Sequence, residues 1–287
     1  MDDFSLAIPG LSFEFDAHDM QRAQVHSPLC DATIYLHGAH LTHWQPRGES
    51  PVLFLSRSSE FAPDRAIRGG VPIIFPWFGA RENKASHGWA RRSEWKIESA
   101  RERDGEIEIV FGLASRDVPE SEQACGLRFL VRAGAGMTMQ LEIENKSDSP
   151  LVFQSALHTY FAVADIREVE IEGLCGAEFL DKVAGLQRVE TQARLRVDGE
   201  IDRIYASQAT VTIDDMKLAR RIIVEKSGSN ETVVWNPWID KAAALPDFGD
   251  DEWSQMLCVE TAKTSEIELA PRQTHRMTVT VRVEKYD

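Results

Sequence analysis

The chain has 287 residues, 43% of them hydrophobic and 27% charged, the composition of an ordinary globular protein with enough apolar sequence for a sizeable core. Its 32 basic and 46 acidic side chains leave a net charge of −14, which argues against non-specific binding to nucleic acid or to an anionic membrane surface. An anionic substrate would have to be held by a local cluster of cations.

The first four residues, Met1-Asp2-Asp3-Phe4, are acidic and lack the apolar core of a signal peptide, and no stretch is apolar for long enough to span a bilayer. Cys30, Cys125, Cys175 and Cys258 lie far apart without a Cys-x-x-Cys pair, so reduced thiols are expected rather than a disulfide framework. Both readings lead to a cytoplasmic expectation. His37, His40 and His43 recur every third residue. On a strand the first and third would face one way and the second the other, and Gly38 opposes a helix, so no metal site is expected.

Next comes the most informative segment. Arg68-Gly-Gly-Val-Pro-Ile-Ile-Phe-Pro-Trp-Phe-Gly79 is followed closely by Ser86-His87-Gly88-Trp89-Ala90-Arg91. Two Gly-rich turns each carry an arginine, and the prolines between them forbid a regular helix. Arginine suits phosphate or carboxylate because its planar guanidinium donates hydrogen bonds in a fixed fork, and glycines let backbone amides approach a ligand too.

From here strand-type alternation dominates. Ile107, Ile109, Phe111 and Leu113 form one set, and Met137, Met139, Leu141 and Ile143 a second. Val211 with Ile213, and Met277, Val279, Val281 and Val283, complete the pattern. Asp104-Gly105, the run 145–150, Asp198-Gly199, the run 227–230 and Ala270-Pro271 supply turns. The segment 183–196 is the best place for a short helix or an irregular excursion. Gly134-Ala-Gly136 lacks the rest of a dinucleotide fingerprint, and Ser155 near His158 lacks the Gly-x-Ser-x-Gly elbow. Short strands without a long amphipathic helix predict an all-β, mainly antiparallel sandwich, and the lack of a linker or repeat predicts one domain over 1–287.

Two residues stand out for proton chemistry. His158, in Ala156-Leu-His-Thr-Tyr-Phe161, has aromatic neighbours and can exchange a proton near neutral pH; taken alone it also reads as a core histidine held by a carbonyl. Glu260, in Met256-Leu-Cys-Val-Glu260, is a carboxylate within a buried strand, either a structural ion pair or a general base with a raised pKa. Nothing marks Cys258 as a nucleophile. Trp77, Trp89, Trp235 and Trp238 offer apolar faces on which a ring-shaped ligand could stack, although core positions are expected for most of them.

Five of these segments, in order, resemble the glucose-6-phosphate 1-epimerases of the aldose 1-epimerase superfamily: Arg-Gly-Gly-x-Pro-x-x-x-Pro-x-Phe-Gly, His-Gly-x-Ala-Arg, Ala-Leu-His-Thr-Tyr-Phe, Val-Val-Trp-Asn-Pro-Trp and Cys-Val-Glu. The resemblance runs from Arg68 to Glu260 and implies the large β-sandwich of galactose mutarotase-like proteins with few short helices. It implies His158 as catalytic acid and Glu260 as catalytic base, and Arg68 and Arg91, rather than the adjacent Arg92, as phosphate ligands. It further implies His87 and Asp202 at the sugar, where a turn-bracing role and a plain turn residue are the respective alternatives. Ser86 stands where some relatives carry a substrate-contacting Gln; being shorter, it would reach the sugar through water or not at all. Thr261-Ala262-Lys263 follows Glu260 where relatives often have Pro-Gly, which bears on the local loop shape. The implied activity exchanges the α and β anomers of a hexose 6-phosphate with no metal or organic cofactor, in a monomer whose partner is a small sugar phosphate. A mutarotase for a neutral sugar and a non-catalytic carbohydrate-binding or sensing module remain as alternatives, with a merely structural sandwich last.

Overall fold

The computed structural model describes residues 8–113 and 125–286, so the acidic residues 1–4 lie outside it. Among the described residues the strands form three antiparallel sheets. The first is a meander of four strands, Leu11–Phe15, Gln21–His26, Cys30–Tyr35 and His40–Pro46. The second carries the candidate site. Its order is Leu186–Val189, Glu178–Asp181, Ile201–Tyr205, Glu231–Asn236, Met256–Leu269, Leu151–Leu157 and Ile73–Ile74, and Tyr160–Ala162 also pairs with Met256–Leu269. The third runs Arg194–Arg196, Val169–Glu172, Val211–Asp215, Arg220–Ser227, Thr274–Lys285, Met137–Asn145, Cys125–Ala133, Glu106–Leu113 and Lys96–Arg103.

The alternating sets lie in strands, as their period of two requires. In Met137–Asn145 the residues Met137, Met139, Leu141 and Ile143 are all buried, while Thr138, Gln140 and Glu142 are less so. Burial of each such side chain stabilises the fold by roughly 1.5–3 kcal/mol. Asp104-Gly105 makes a two-residue hairpin between Lys96–Arg103 and Glu106–Leu113; both residues have positive φ, 55° and 85°, as a turn matched to the strand twist requires. One apolar cluster joins the sheets, with Leu41 and Trp44 from the first, Leu157 and Val259 from the second, and Phe129 and Leu141 from the third.

Two expectations need correction. The segment 183–196 forms no helix: Leu186–Val189 closes a hairpin on Glu178–Asp181, and Arg194–Arg196 pairs with Val169–Glu172. Gly185 at φ 68° makes the turn, and the four residues Leu186–Val189 are all exposed, so no helical face had a core to bury. The parity argument for the histidines also fails. Gly38 and Ala39, both at positive φ, turn the chain before His40–Pro46 begins, so His37 lies outside the strand and reaches the same loop as His40. Among the described residues no helix is long and apolar enough to cross a membrane.

Candidate active site

The second sheet aligns its chemistry by register. Leu157 faces Thr261 and Tyr160 faces Cys258, so His158, between them, stands opposite Glu260 on the neighbouring strand. On the other side of the long strand Val233 faces Glu260, Trp235 faces Cys258, and Asp202 faces Trp235. Residues paired across antiparallel strands, and those two apart, share a face. One row is therefore His158, Glu260, Val233 and Ile204, and the next is Tyr160, Cys258, Trp235 and Asp202. Thr261 and Ala262 simply continue the strand Met256–Leu269, so the departure after Glu260 makes no loop.

Cross-strand placement brings His158 Nε2 to 3.3 Å from Glu260 Oε1, with side chains only 10% and 1% exposed. The His158 backbone N–H donates to Pro72 O, and the ring stacks on Tyr160 at 4.8 Å with Trp235 edge-on at 6.0 Å. His158 Nδ1 and Glu260 Oε2 are buried and have no hydrogen-bond partner among the described residues. Orphaned polar atoms of this kind each cost about 1–3 kcal/mol and call for an explanation. Burial raises the Glu260 carboxyl well above its usual range, and the Asp202 charge adds to it. Burial lowers His158 well below 6.5, and His87, Arg91 and Arg68 push the same way. Both directions favour neutral forms, so the couple holds one proton between its two groups.

Around this couple the other sequence candidates divide. His87 meets His158 edge-on at 5.6 Å. Its Nδ1 accepts from the Gly79 N–H, which leaves the ring proton on Nε2, and burial with Arg91, Lys182 and Arg68 nearby lowers its pKa to about 3. It is a neutral donor at the site. His87 sits at φ 63° and Gly88 at φ 74°; a Cβ on Gly88 would lie 1.9 Å from Phe75 O. Asp202 accepts from Lys182 Nζ at 3.1 Å. Ser86 is exposed, and its carbonyl rather than its hydroxyl accepts from Arg91 Nη2 at 2.8 Å.

A cleft of about 260 Å³ adjoins the couple through Tyr160 and Pro72, and Arg68 and Arg91 both line it. Arg68 donates to both Asp247 oxygens, at 3.0 and 3.1 Å, and to the Tyr160 hydroxyl at 3.1 Å. Although burial opposes its charge, Tyr160 and Asp247 outweigh that and raise its pKa. Arg91 has no such carboxylate: burial lowers it to about 10, and Arg68 and Arg92 repel it. His37 Nε2 and His40 Nε2 hold the carbonyls of Arg65 and Gly69 at 2.6 and 2.7 Å, bracing the loop that presents Arg68. Of the four tryptophans only Trp235 joins the couple's face. Trp77 is covered by Arg81 and Lys84, Trp89 packs on Phe75, and Trp238 on Trp253.

Comparison with known proteins decides the family. The aldose 1-epimerase family model matches residues 22–282. The chain belongs to the aldose 1-epimerase family. Within it, the chain is 35% identical over 259 residues to a Salmonella typhimurium protein named "Putative glucose-6-phosphate 1-epimerase", covering 89% of this chain and 86% of that one. A protein of the same name from Cenchrus ciliaris is 35% identical over 246 residues, 81% of this chain and 75% of that one. The solved structure of a Salmonella typhimurium protein named "putative mutarotase (YeaD)" superposes with a TM-score of 0.89 at 32% identity, covering 97% of this chain and 95% of that one. The chain is thus an epimerase of the all-β, mutarotase-type sandwich.

Sequence reasoning missed three contributors to this epimerase's site. Tyr160 stood inside a quoted motif without a role, while Lys182 and Asp247 lie in no motif. Asp247 reaches Arg68 across 179 residues of chain, a pairing only the folded sheet reveals.

Proposed function

We propose that this epimerase interconverts the α and β anomers of a hexose 6-phosphate, D-glucose 6-phosphate in the first instance. The observation that carries the reading is the 3.3 Å approach of His158 and Glu260, both buried, beside a cleft lined by arginines. Before a sugar binds, the couple's one proton rests on Glu260. Sugar hydroxyls reaching the unpartnered Glu260 Oε2 and His158 Nδ1 stabilise the charged pair and move that proton to His158. Glu260 then takes the proton of the C1 hydroxyl while His158 gives one to the ring oxygen, breaking the bond between C1 and that oxygen. Rotation about C1–C2 presents the other face of the aldehyde, and the reverse transfers close the opposite anomer. The couple ends with the one proton it began with, as an isomerisation demands. The unpartnered His158 Nδ1 and Glu260 Oε2 fit this use, because a bound sugar brings hydroxyls to groups that otherwise have none. Each positioned transfer contributes around 10²–10⁴-fold.

Arg68 and Arg91 hold the 6-phosphate, and its distance from C1 makes their share affinity and alignment rather than chemistry. His87 donates its Nε2–H to a sugar oxygen, and Asp202 accepts from sugar hydroxyls. Ser86 acts through its carbonyl on Arg91. A neutral sugar would leave the guanidinium charges without a purpose, and a pure binding module would need no acid–base couple. In this reading the working form is a one-domain cytoplasmic monomer without metal or organic cofactor.

The test is anomer exchange followed by NMR on glucose 6-phosphate, free glucose and free galactose, with Glu260→Gln as control. Acceleration of the phosphate ester alone, lost in the variant, is expected. Acceleration of the free sugars instead would transfer the reading to a neutral-sugar mutarotase, and no acceleration of any sugar would end the catalytic reading.

A further inference from the structure

The charges around the arginine-lined cleft do not balance, and the imbalance singles out a residue that the family motif leaves aside. Four guanidiniums line it: Arg65, Arg68, Arg91 and Arg92. Arg65 pairs at the exposed rim with Glu60 at 3.2 Å and Asp64 at 4.0 Å. Arg68 is neutralised by the two-oxygen contact with Asp247. Among the described residues Arg91 makes one polar side-chain contact, to the Ser86 carbonyl, and neither Arg91 nor Arg92 has an ion pair. The Nε atoms of both are buried without an acceptor. Among the described residues two adjacent cations thus sit half-buried without an ion pair, Asp247 being committed to Arg68 and acting on Arg91 only at a distance.

Their backbone is held firmly. Ala90–Arg92 is a single 3-10 turn, closed by Arg92 N–H to Trp89 O at 2.9 Å. Trp89 N–H donates to Phe75 O on one side, and Gly38 N–H to Ser93 O on the other. Gly38 allows that approach, since a Cβ there would stand 2.7 Å from Arg91 O. With three residues per turn, neighbouring side chains diverge by about 120°, so the two arginines can flank a ligand rather than stack.

Keeping two unpaired charges side by side is costly unless an anion completes the set. A phosphate monoester carries about −1.5 to −2 at neutral pH and accepts from several donors at once, which matches two free guanidiniums. We infer that Arg92 is a phosphate ligand of this cleft and that Arg91 and Arg92 together supply the charge that neutralises a dianionic phosphate. Arg68, already neutralised by Asp247, contributes aligned donors. The inference rests on the proposed phosphate substrate and refines it: the site selects the dianion over the monoanion.

Arg92→Gln and Arg92→Lys, with Arg91→Gln for comparison, test this in two assays: anomer exchange of glucose 6-phosphate, and titration of the protein with inorganic phosphate alone. In Arg92→Gln, KM for the ester is expected to rise about tenfold or more with kcat within about twofold, and phosphate affinity to fall in parallel. Arg92→Lys should recover part of both. The wild-type preference for pH 7.5 over pH 5.5, where the dianion is lost, should flatten in Arg92→Gln. A KM and a phosphate affinity unchanged in Arg92→Gln but impaired in Arg91→Gln would overturn the inference and leave the proposed function standing. If the wild type does not act on the ester at all, the proposed function falls, and the phosphate titration alone decides on Arg92: weakened binding supports it, unchanged binding overturns it.

Discussion

His158 and Glu260 are cross-strand neighbours in a buried sheet, and the proposed acid–base chemistry depends on that placement. Replacing His158 by Gln keeps a polar side chain of similar reach but removes the exchangeable ring proton. We expect kcat to fall by about 10²–10⁴ with inorganic phosphate affinity unchanged, measured by exchange NMR and titration. Acidity should act through the substrate. His158 lies well below 6.5, so the couple takes a second proton only far into the acid range, and kcat at saturation should show no step near 6.5. The ester's second ionisation lies near 6, so KM should rise as pH falls through about 6, when the dianion is lost. A histidine-like step in kcat near 6.5 would contradict the depressed pKa. Motif order in the sequence singled out both residues, and the structure brings them together. Taken singly, His158 read first as a core histidine and Glu260 also as a structural ion pair, because the register that makes them neighbours is set by pairings of residues 151–162 with 256–269.

Short elements present the arginines, and each is fixed by a contact that sequence pattern alone misjudges. His37 and His40 looked like alternating strand residues; the turn at Gly38 and Ala39 brings both onto the carbonyls of the loop before Gly70. His40 is fully buried and its pKa is lowered to about 3, chiefly by burial, so it serves as a neutral donor. His40→Ala should cost about 2–4 kcal/mol in urea unfolding, from the lost volume and the stranded Gly69 carbonyl. In whatever remains folded, KM for the phosphate ester should rise more than kcat falls. Gly88→Ala is harsher, since a Cβ would lie 1.9 Å from Phe75 O at a positive φ. It should destabilise by more than about 2 kcal/mol and displace the Arg91–Arg92 turn, read as lost phosphate binding at temperatures where circular dichroism still shows strands. By contrast, Asp104-Gly105 was fully legible, because its conformational demand is local. The strand at 186–189 was not, because an exposed edge strand lacks the apolar alternation by which buried strands are recognised.

At the scale of the whole molecule, three antiparallel sheets share one apolar cluster, and key pairings join distant parts of the chain, as Leu151–Leu157 does with Met256–Leu269 and Met137–Asn145 with Thr274–Lys285. Folding should therefore be slow for the size, as non-local pairings must close large loops first. Unfolding should be one transition, with far-ultraviolet circular dichroism and tryptophan fluorescence coinciding in urea; two separated transitions would divide the chain into independent units. Fold class was legible from alternation and turn residues, whereas the division into three sheets was not, since any strand could pair with many others. The register of the long strand Met256–Leu269 has a last consequence. Ladders on both its flanks fix His158 and Glu260, the proposed acid and base, to one hydrogen-bonded frame. In the proposed reaction the motion therefore belongs to the sugar: it opens, swivels about one carbon–carbon bond and closes again, a rotor turning inside a fixed housing.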